Sequence, residues 1–192
     1  MATDPEATDE MELIRACQHG QREAGVKLVD RYWDRVYAFA YRLSLNQADA
    51  EDIAQETFLR AFGKLNEFDP KGQFKAWLLK IAANLFLDAR KSSKKKNVST
   101  ADMSEYAQHE PAVEQTLERK ELLAALDQVL QTLTHEQRTV VLLRAVEHME
   151  YPDIANMLQL KESTVRWHMY EARRILWQKL SKKFDLEAMG NE

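Results

Sequence analysis

Cysteine is almost absent: Cys17 is the only one in 192 residues, so neither an internal disulfide nor a cysteine-rich zinc site can form. Glycine and proline are scarce, at five and four copies. Ala, Leu, Glu, Lys, Gln and Arg fill the long segments instead, which favours helix. Alternating runs of Val, Ile and Thr are also missing, and the expected fold class is all-α. No apolar run approaches a membrane span; Val140-Val141-Leu142-Leu143 is among the longest and is flanked by charge. The N-terminus carries Asp4, Glu6, Asp9, Glu10 and Glu12 and lacks the basic start and apolar block of a signal peptide. These absences predict a cytoplasmic protein without membrane insertion. Catalytic patterns are missing too. The five His are scattered, His135-Glu136-Gln137-Arg138-Thr139 is not a zinc-binding HExxH, and no glycine-rich phosphate loop or Ser/His/Asp arrangement occurs. No enzyme activity, metal or cofactor is expected.

What is present is charge in separate blocks. The net charge is -4, which argues against nucleic acid only if charge is spread evenly. Residues 49–56 hold four acids (Asp49, Glu51, Asp52, Glu56) and no base. Residues 90–96 hold five bases (Arg90, Lys91, Lys94, Lys95, Lys96) and no acid. Residues 166–183 hold six bases (Arg166, Arg173, Arg174, Lys179, Lys182, Lys183) against Glu171. Local fields steer association, so the chain offers basic surfaces for phosphate and a separate acidic surface for another partner. Taken one at a time, each block also fits an ordinary solvated helix face.

Helical periodicity divides the chain in two. Leu13, Ile14 and Cys17 form a short stripe ending near Gly20. A longer one follows, through Val26, Val29, Tyr32, Trp33, Val36, Tyr37, Phe39, Ala40 and Leu43. Asn46 is a good N-cap for a helix with Ala50, Ile53, Ala54, Thr57, Phe58, Ala61 and Leu65 on its inner face. After the Asp69-Pro70-Lys71-Gly72 break, Phe74, Trp77, Leu78, Ile81, Ala82 and Leu85 resume the pattern, with Trp77 read as core. Periodicity fails from 97 to about 111 and returns through Leu117, Leu122, Leu123, Leu126, Val129, Leu130 and Leu133. Thr134 and Gln137 have capping-box spacing ahead of Val140, Val141, Leu143 and Val146. The expected organisation is an acidic tail (1–10), a helical domain (11–96), a flexible linker (97–112), a second helical domain (113–184) and a short tail (185–192).

Residues 151–180 read as a helix-turn-helix. Pro152 suits the start of a short helix with Ile154, Ala155 and Leu158 inward. Gln159-Leu160-Lys161-Glu162 forms the turn, and Ser163 caps a second helix with Val165, Met169, Ala172, Ile175 and Leu176 inward. In such motifs the N-terminal residues of the second helix meet base edges in the major groove. Thr164, Arg166, Trp167, His168 and Tyr170 are then the outward candidates, with Arg166 on a guanine edge or a phosphate, and Arg173 and Arg174 on phosphates. The local pattern alone also fits an αα-hairpin that binds no DNA.

Together these pieces resemble the extracytoplasmic-function group of bacterial RNA polymerase sigma factors. The resemblance runs through residues 49–58, then Phe68, Phe74, Ala76-Trp77-Leu78, Ile81-Ala82, Asn84, Asp88 and Arg90. It continues through Leu133-Thr134, Arg138 to Leu143, Tyr151, Ile154-Ala155, Leu158, Ser163-Thr164-Val165-Arg166 and Ala172-Arg173. It implies two retained promoter-reading domains. Asp49, Asp52, Gln55 and Glu56 would dock on a coiled coil of the polymerase β′ subunit, with the β subunit as a further contact. Phe68, Lys71, Phe74, Asn84, Arg90, Lys91, Lys94 and Lys95 would handle the opened −10 element, a flipped base lodging in a pocket bordered by Phe68 and Phe74. The helix from Ser163 would read the −35 duplex. An anti-sigma factor is a further implied partner. The chain departs from the pattern at Ala24-Gly25, where many relatives have Ala-Phe, at Trp167-His168, and at Lys161-Glu162-Ser163, which replaces a glycine-containing turn. A helix-turn-helix repressor working without polymerase is the competing reading; it needs neither the acidic face nor the single-strand reader.

Overall fold

The computed structural model describes residues 5–69, 72–94 and 128–184, and these are all helix, turn and loop with no strand. The fold class is all-α. The described residues form two compact units, 5–86 and 87–94 with 128–184. The periodicity expected over 113–127, the linker at 97–112 and the tail at 185–192 lie outside the described residues.

The first unit begins with α1 (Pro5–Gln18), α2 (Arg22–Ser44) and α3 (Gln47–Gly63). Gly20 stops α1 as expected. It takes a left-handed φ of 82°, its N–H donates to the Cys17 carbonyl, and the Gln21 N–H donates to Ala16, the paired bonds of a Schellman end. Asn46 caps α3 by accepting from the Asp49 N–H at 2.9 Å. A 3₁₀ turn (Leu65–Glu67) leads through Phe68 to α4 (Phe74–Lys94). The α2 stripe that faces the core is Ala24, Leu28, Tyr32, Val36, Phe39, Ala40 and Leu43. Val26, expected on that stripe, is 59% exposed while Leu28 is fully buried. The reason is rotational: two residues past Ala24 is about 200° around a helix of 3.6 residues per turn. Leu28, Tyr32, Phe58, Leu65, Phe68, Phe74 and Leu78 meet in one core. Gly25 leaves an open groove of about 520 Å³ lined by Cys17, Val26, Val29, Phe62 and Leu65, where no side chain fills the α1–α2 junction.

In the second unit the capping box forms. Thr134 Oγ1 accepts from the Gln137 N–H at 3.2 Å, and the Thr134 N–H donates to Gln137 Oε1 at 3.0 Å. This starts α5 (His135–Val141), which passes into a π-helical turn (Leu142–Val146). The wider turn rotates the following side chains, and Val146, expected in the core, is 43% exposed. Helix α6 (Tyr151–Leu158) ends at Gln159 in the left-handed conformation, and α7 (Glu162–Phe184) follows. Val140, Leu143, Ile154, Val165 and Ala172 are fully buried among these elements. Arg138 is buried as well. Its Nε donates to the Leu130 carbonyl at 3.0 Å, and burial pushes its guanidinium down to about 10.

Candidate polymerase-docking and nucleic-acid surfaces

Helix α3 sorts its residues by face. Ala50, Ile53, Ala54, Thr57, Phe58 and Ala61 are buried, and the Thr57 hydroxyl satisfies itself on the Ile53 carbonyl at 2.6 Å. Asp52 and Gln55 stand exposed on the opposite side, with Asp49 and Glu56 half-buried beside them. Glu56 is not a bare acid: Arg60 Nε donates to it at 2.7 Å. Leu59, 68% exposed, completes the stripe that runs from Asp52 through Gln55. The charge pattern alone does not single out Leu59, because it carries no charge.

The loop between α3 and α4 holds a finding that reverses an expectation. Phe68 and Phe74 are only 6% and 1% exposed, so neither ring offers a face to an unstacked base. Their centroids lie 5.4 Å apart in a T-shaped pair; Phe74 also meets Tyr32 edge-on at 5.4 Å, and Trp77 closes on Phe68 at 5.2 Å. Four rings interlocked this way are core, because their apolar area gains more from burial than from exposure at a loop edge. Gly72 sits against this cluster. Its N–H donates to the Asp69 carbonyl at 2.8 Å, and an added Cβ would stand 3.1 Å from that oxygen. Lys71 and Lys95 lie outside the described residues, as does the side chain of Lys94. Asn84 is half-buried and makes no side-chain hydrogen bond to the described residues. Arg90 is half-buried and partnered, while Lys91, 75% exposed, lies 3.6 Å from Asp88. Asn84 and Lys91 are seven residues apart and share a face of α4.

Helices α6 and α7 make the helix-turn-helix, with two corrections. Ser163 does not cap α7: the Lys161 carbonyl accepts from Thr164 and Val165, so the helix begins at Glu162 and Ser163 is an exposed residue of its first turn. His168 does not point outward. It is half-buried, its Nδ1 has no hydrogen-bond partner among the described residues, and burial pushes its pKa down against the opposing charge of Glu136. The ring of Trp167, 56% exposed, meets it edge-on at 5.0 Å. Thr164 is half-buried; Arg166 and Arg173 are exposed, and Tyr170 is 65% exposed. Arg174 is paired with Glu171 at 2.8 Å, whereas Arg173 has no ion pair among the described residues. Arg166 is held by Glu162 and lies 4.5 Å from the centre of the Tyr151 ring. Sequence reasoning passed over Glu162, Tyr151 and the exposed Trp177 as surface groups.

Two family models match, Sigma-70 region 2 over residues 28–96 and Sigma-70 region 4 over residues 123–176. The chain is 33% identical over 177 residues to the extracytoplasmic-function sigma factor BldN of Streptomyces coelicolor, covering 91% of this chain and 67% of that one. It is 30% identical to the sigma-H factor of Pseudomonas aeruginosa, covering 87% and 91%. The chain belongs to the extracytoplasmic-function group of RNA polymerase sigma factors. The first match takes in α3 and α4 and the second the helix-turn-helix, so both candidate surfaces fall inside sigma regions. SigE of Mycolicibacterium smegmatis is 38% identical over 81% of the chain, which spans 61% of that longer relative. Among solved structures, this sigma factor is similar to CnrH in complex with the cytosolic domain of CnrY, at 25% identity and a TM-score of 0.63 over 90% of this chain and 97% of that one. It is also similar to RpoE in complex with the anti-sigma factor NepR from Bartonella quintana, at 26% identity and a TM-score of 0.64 over 81% and 95%. No described helix is long and apolar enough to cross a membrane.

Proposed function

We propose that this sigma factor docks on core RNA polymerase through the outer face of α3 and then directs initiation by reading promoter DNA with α4 and α7. The observation that carries this reading is the α3 face, where the exposed Leu59 continues the stripe of Asp52 and Gln55. An acidic surface repels DNA, but joined to an apolar residue it complements a basic protein helix such as the β′ coiled coil. Residues 11–96 form the docking and −10 domain, 97–112 the linker and 113–184 the −35 domain, whose further partner is the β subunit.

Asn84 has both a donor and an acceptor for an unstacked base edge, and Lys91 on the same face of α4 follows the phosphates with Arg90, Lys94 and Lys95. Phe68 and Phe74 act indirectly, by fixing both ends of the loop that carries Lys71 and Gly72. On α7, Ser163, Thr164, Arg166, Trp167 and Tyr170 face the −35 major groove, His168 lies against Trp167, and Arg173 meets a phosphate, whereas Arg174 is held by Glu171. The protein works in the cytoplasm, where the polymerase is. The similarity to CnrH and RpoE, solved with CnrY and NepR, supports regulation by an anti-sigma factor.

The test is transcription from genomic DNA by core polymerase, with and without the chain. The expected result is discrete new start sites only when both are present. Tight duplex binding without core, and no new start sites with it, would instead support a stand-alone repressor.

A further inference from the structure

Arg166 enters the helix-turn-helix already restrained. Its Nε lies 2.8 Å and its Nη2 2.6 Å from the same carboxylate oxygen of Glu162, one turn earlier on α7. Its guanidinium carbon also lies over the Tyr151 ring, 4.5 Å from the centroid. Tyr151 is the first residue of α6, so the arginine is clasped by both helices of the motif. The ring is fixed in turn. Arg144 lies over it at 5.3 Å and is tied to the Met149 carbonyl at 3.1 Å and to the Glu150 carboxylate at 3.0 Å. Two arginines, each paired with a glutamate, thus lie over one ring, and the group carries no net charge.

This arrangement separates the two roles open to Arg166. A phosphate contact draws most of its strength from net positive charge, and Glu162 cancels that of Arg166 locally, while Arg173, two turns further along α7, has no such acid among the described residues. A guanine contact needs two parallel N–H groups aimed in a fixed direction. With Nε and one side of Nη2 engaged by Glu162, the free edge is the Nη1/Nη2 end, which presents such a fork. We propose that Tyr151 and Glu162 are positioning residues that hold Arg166 as a guanine reader in the major groove and keep it from serving as a phosphate contact. This rests on the assignment of α7 to the −35 duplex, and it makes one base pair of that element a guanine whose recognition depends on two residues that do not themselves reach the base.

The experiment measures holoenzyme binding to duplexes in which each −35 position is varied through all four bases, for the wild type and single variants. Arg166→Ala should flatten the preference at one position by about 10-fold or more, the discrimination of a bidentate arginine–guanine contact. Tyr151→Leu and Glu162→Ala should weaken the preference at that same position by about 3-fold each, a part of that discrimination. Tyr151→Phe, which keeps the ring, should retain it, and thermal melting confirms that each variant is folded. If Arg166→Ala flattens one position but Tyr151→Leu and Glu162→Ala lower affinity for every sequence equally, the positioning role is wrong while the −35 assignment stands. If Arg166→Ala changes no single position and only reduces the salt dependence, Arg166 is a phosphate contact and the proposal fails outright.

Discussion

The two units of this sigma factor use the same kind of residue in opposite ways. In the first, Tyr32, Phe58, Phe68 and Phe74 are buried, with Trp33 and Trp77 packed against them. In the second, Trp167, Tyr170 and Trp177 stand 56–65% exposed along one helix. An aromatic side chain gives its largest return when buried, so a small helical unit with few alternatives draws its rings inward. The second unit closes its core with Val140, Leu143, Ile154, Val165 and Ala172, which leaves its large rings for the surface. Nearness of a ring to a loop is therefore no guide to whether that ring is exposed.

The contrast is broken most sharply inside the first unit. Phe74→Ala should destabilise it by about 3–5 kcal/mol, as expected for removing a fully buried ring. Denaturant unfolding checks this, and a loss confined to DNA binding would restore Phe74 to the base pocket. Next in size is Asn84→Ala, which should lower strand opening on the order of 10-fold through loss of a base-edge hydrogen bond while stability and duplex binding hold. Permanganate reactivity of −10 thymines against duplex gel shifts separates the two, and equal losses in both would remove Asn84 from the reader. Trp167→Ala should weaken −35 binding about 5- to 10-fold, the scale of a lost apolar base contact. Its stability should change by no more than about 0.5 kcal/mol. A large stability loss would place Trp167 with the buried rings instead.

The smallest effect is the pH response of His168. Burial holds its folded pKa below the unfolded value of about 6.5. The unfolded chain therefore binds a proton that the folded chain refuses, and stability present above that pH declines as the pH falls through the window beneath it. Melting at pH 7.5 and 5.5 should show a larger drop for the wild type than for His168→Gln; equal drops would contradict it.

Local chemistry was legible in the residues alone. The stop at Gly20, the Asn46 cap and the Thr134–Gln137 capping box all concern groups within five residues of one another, and all form. The all-α class followed from the same short-range patterns. What escaped depends on partners far along the chain or on local departures from regular helix. The burial of Phe74 is set by Tyr32 on α2, the clasp on Arg166 by Tyr151 fifteen residues earlier, and the exposure of Val146 by a π-helical turn that simple periodicity does not contain. Ser163 looked like a cap because its residue type is a good one, yet the Lys161 carbonyl starts the helix two residues sooner. The Asp52–Leu59 face was half legible: its acids stand out in the sequence, but Leu59 becomes notable only once α3 is seen to leave it outside.

The account turns on that face being the polymerase-docking surface. The most direct measurement is competition of Asp52→Lys with the wild-type sigma factor for limiting core polymerase, read as specific transcripts. The account predicts that the variant folds normally, competes at least about 10-fold less well because like charges meet across the interface, and supports correspondingly little transcription. Undiminished competition by a folded Asp52→Lys chain would contradict it.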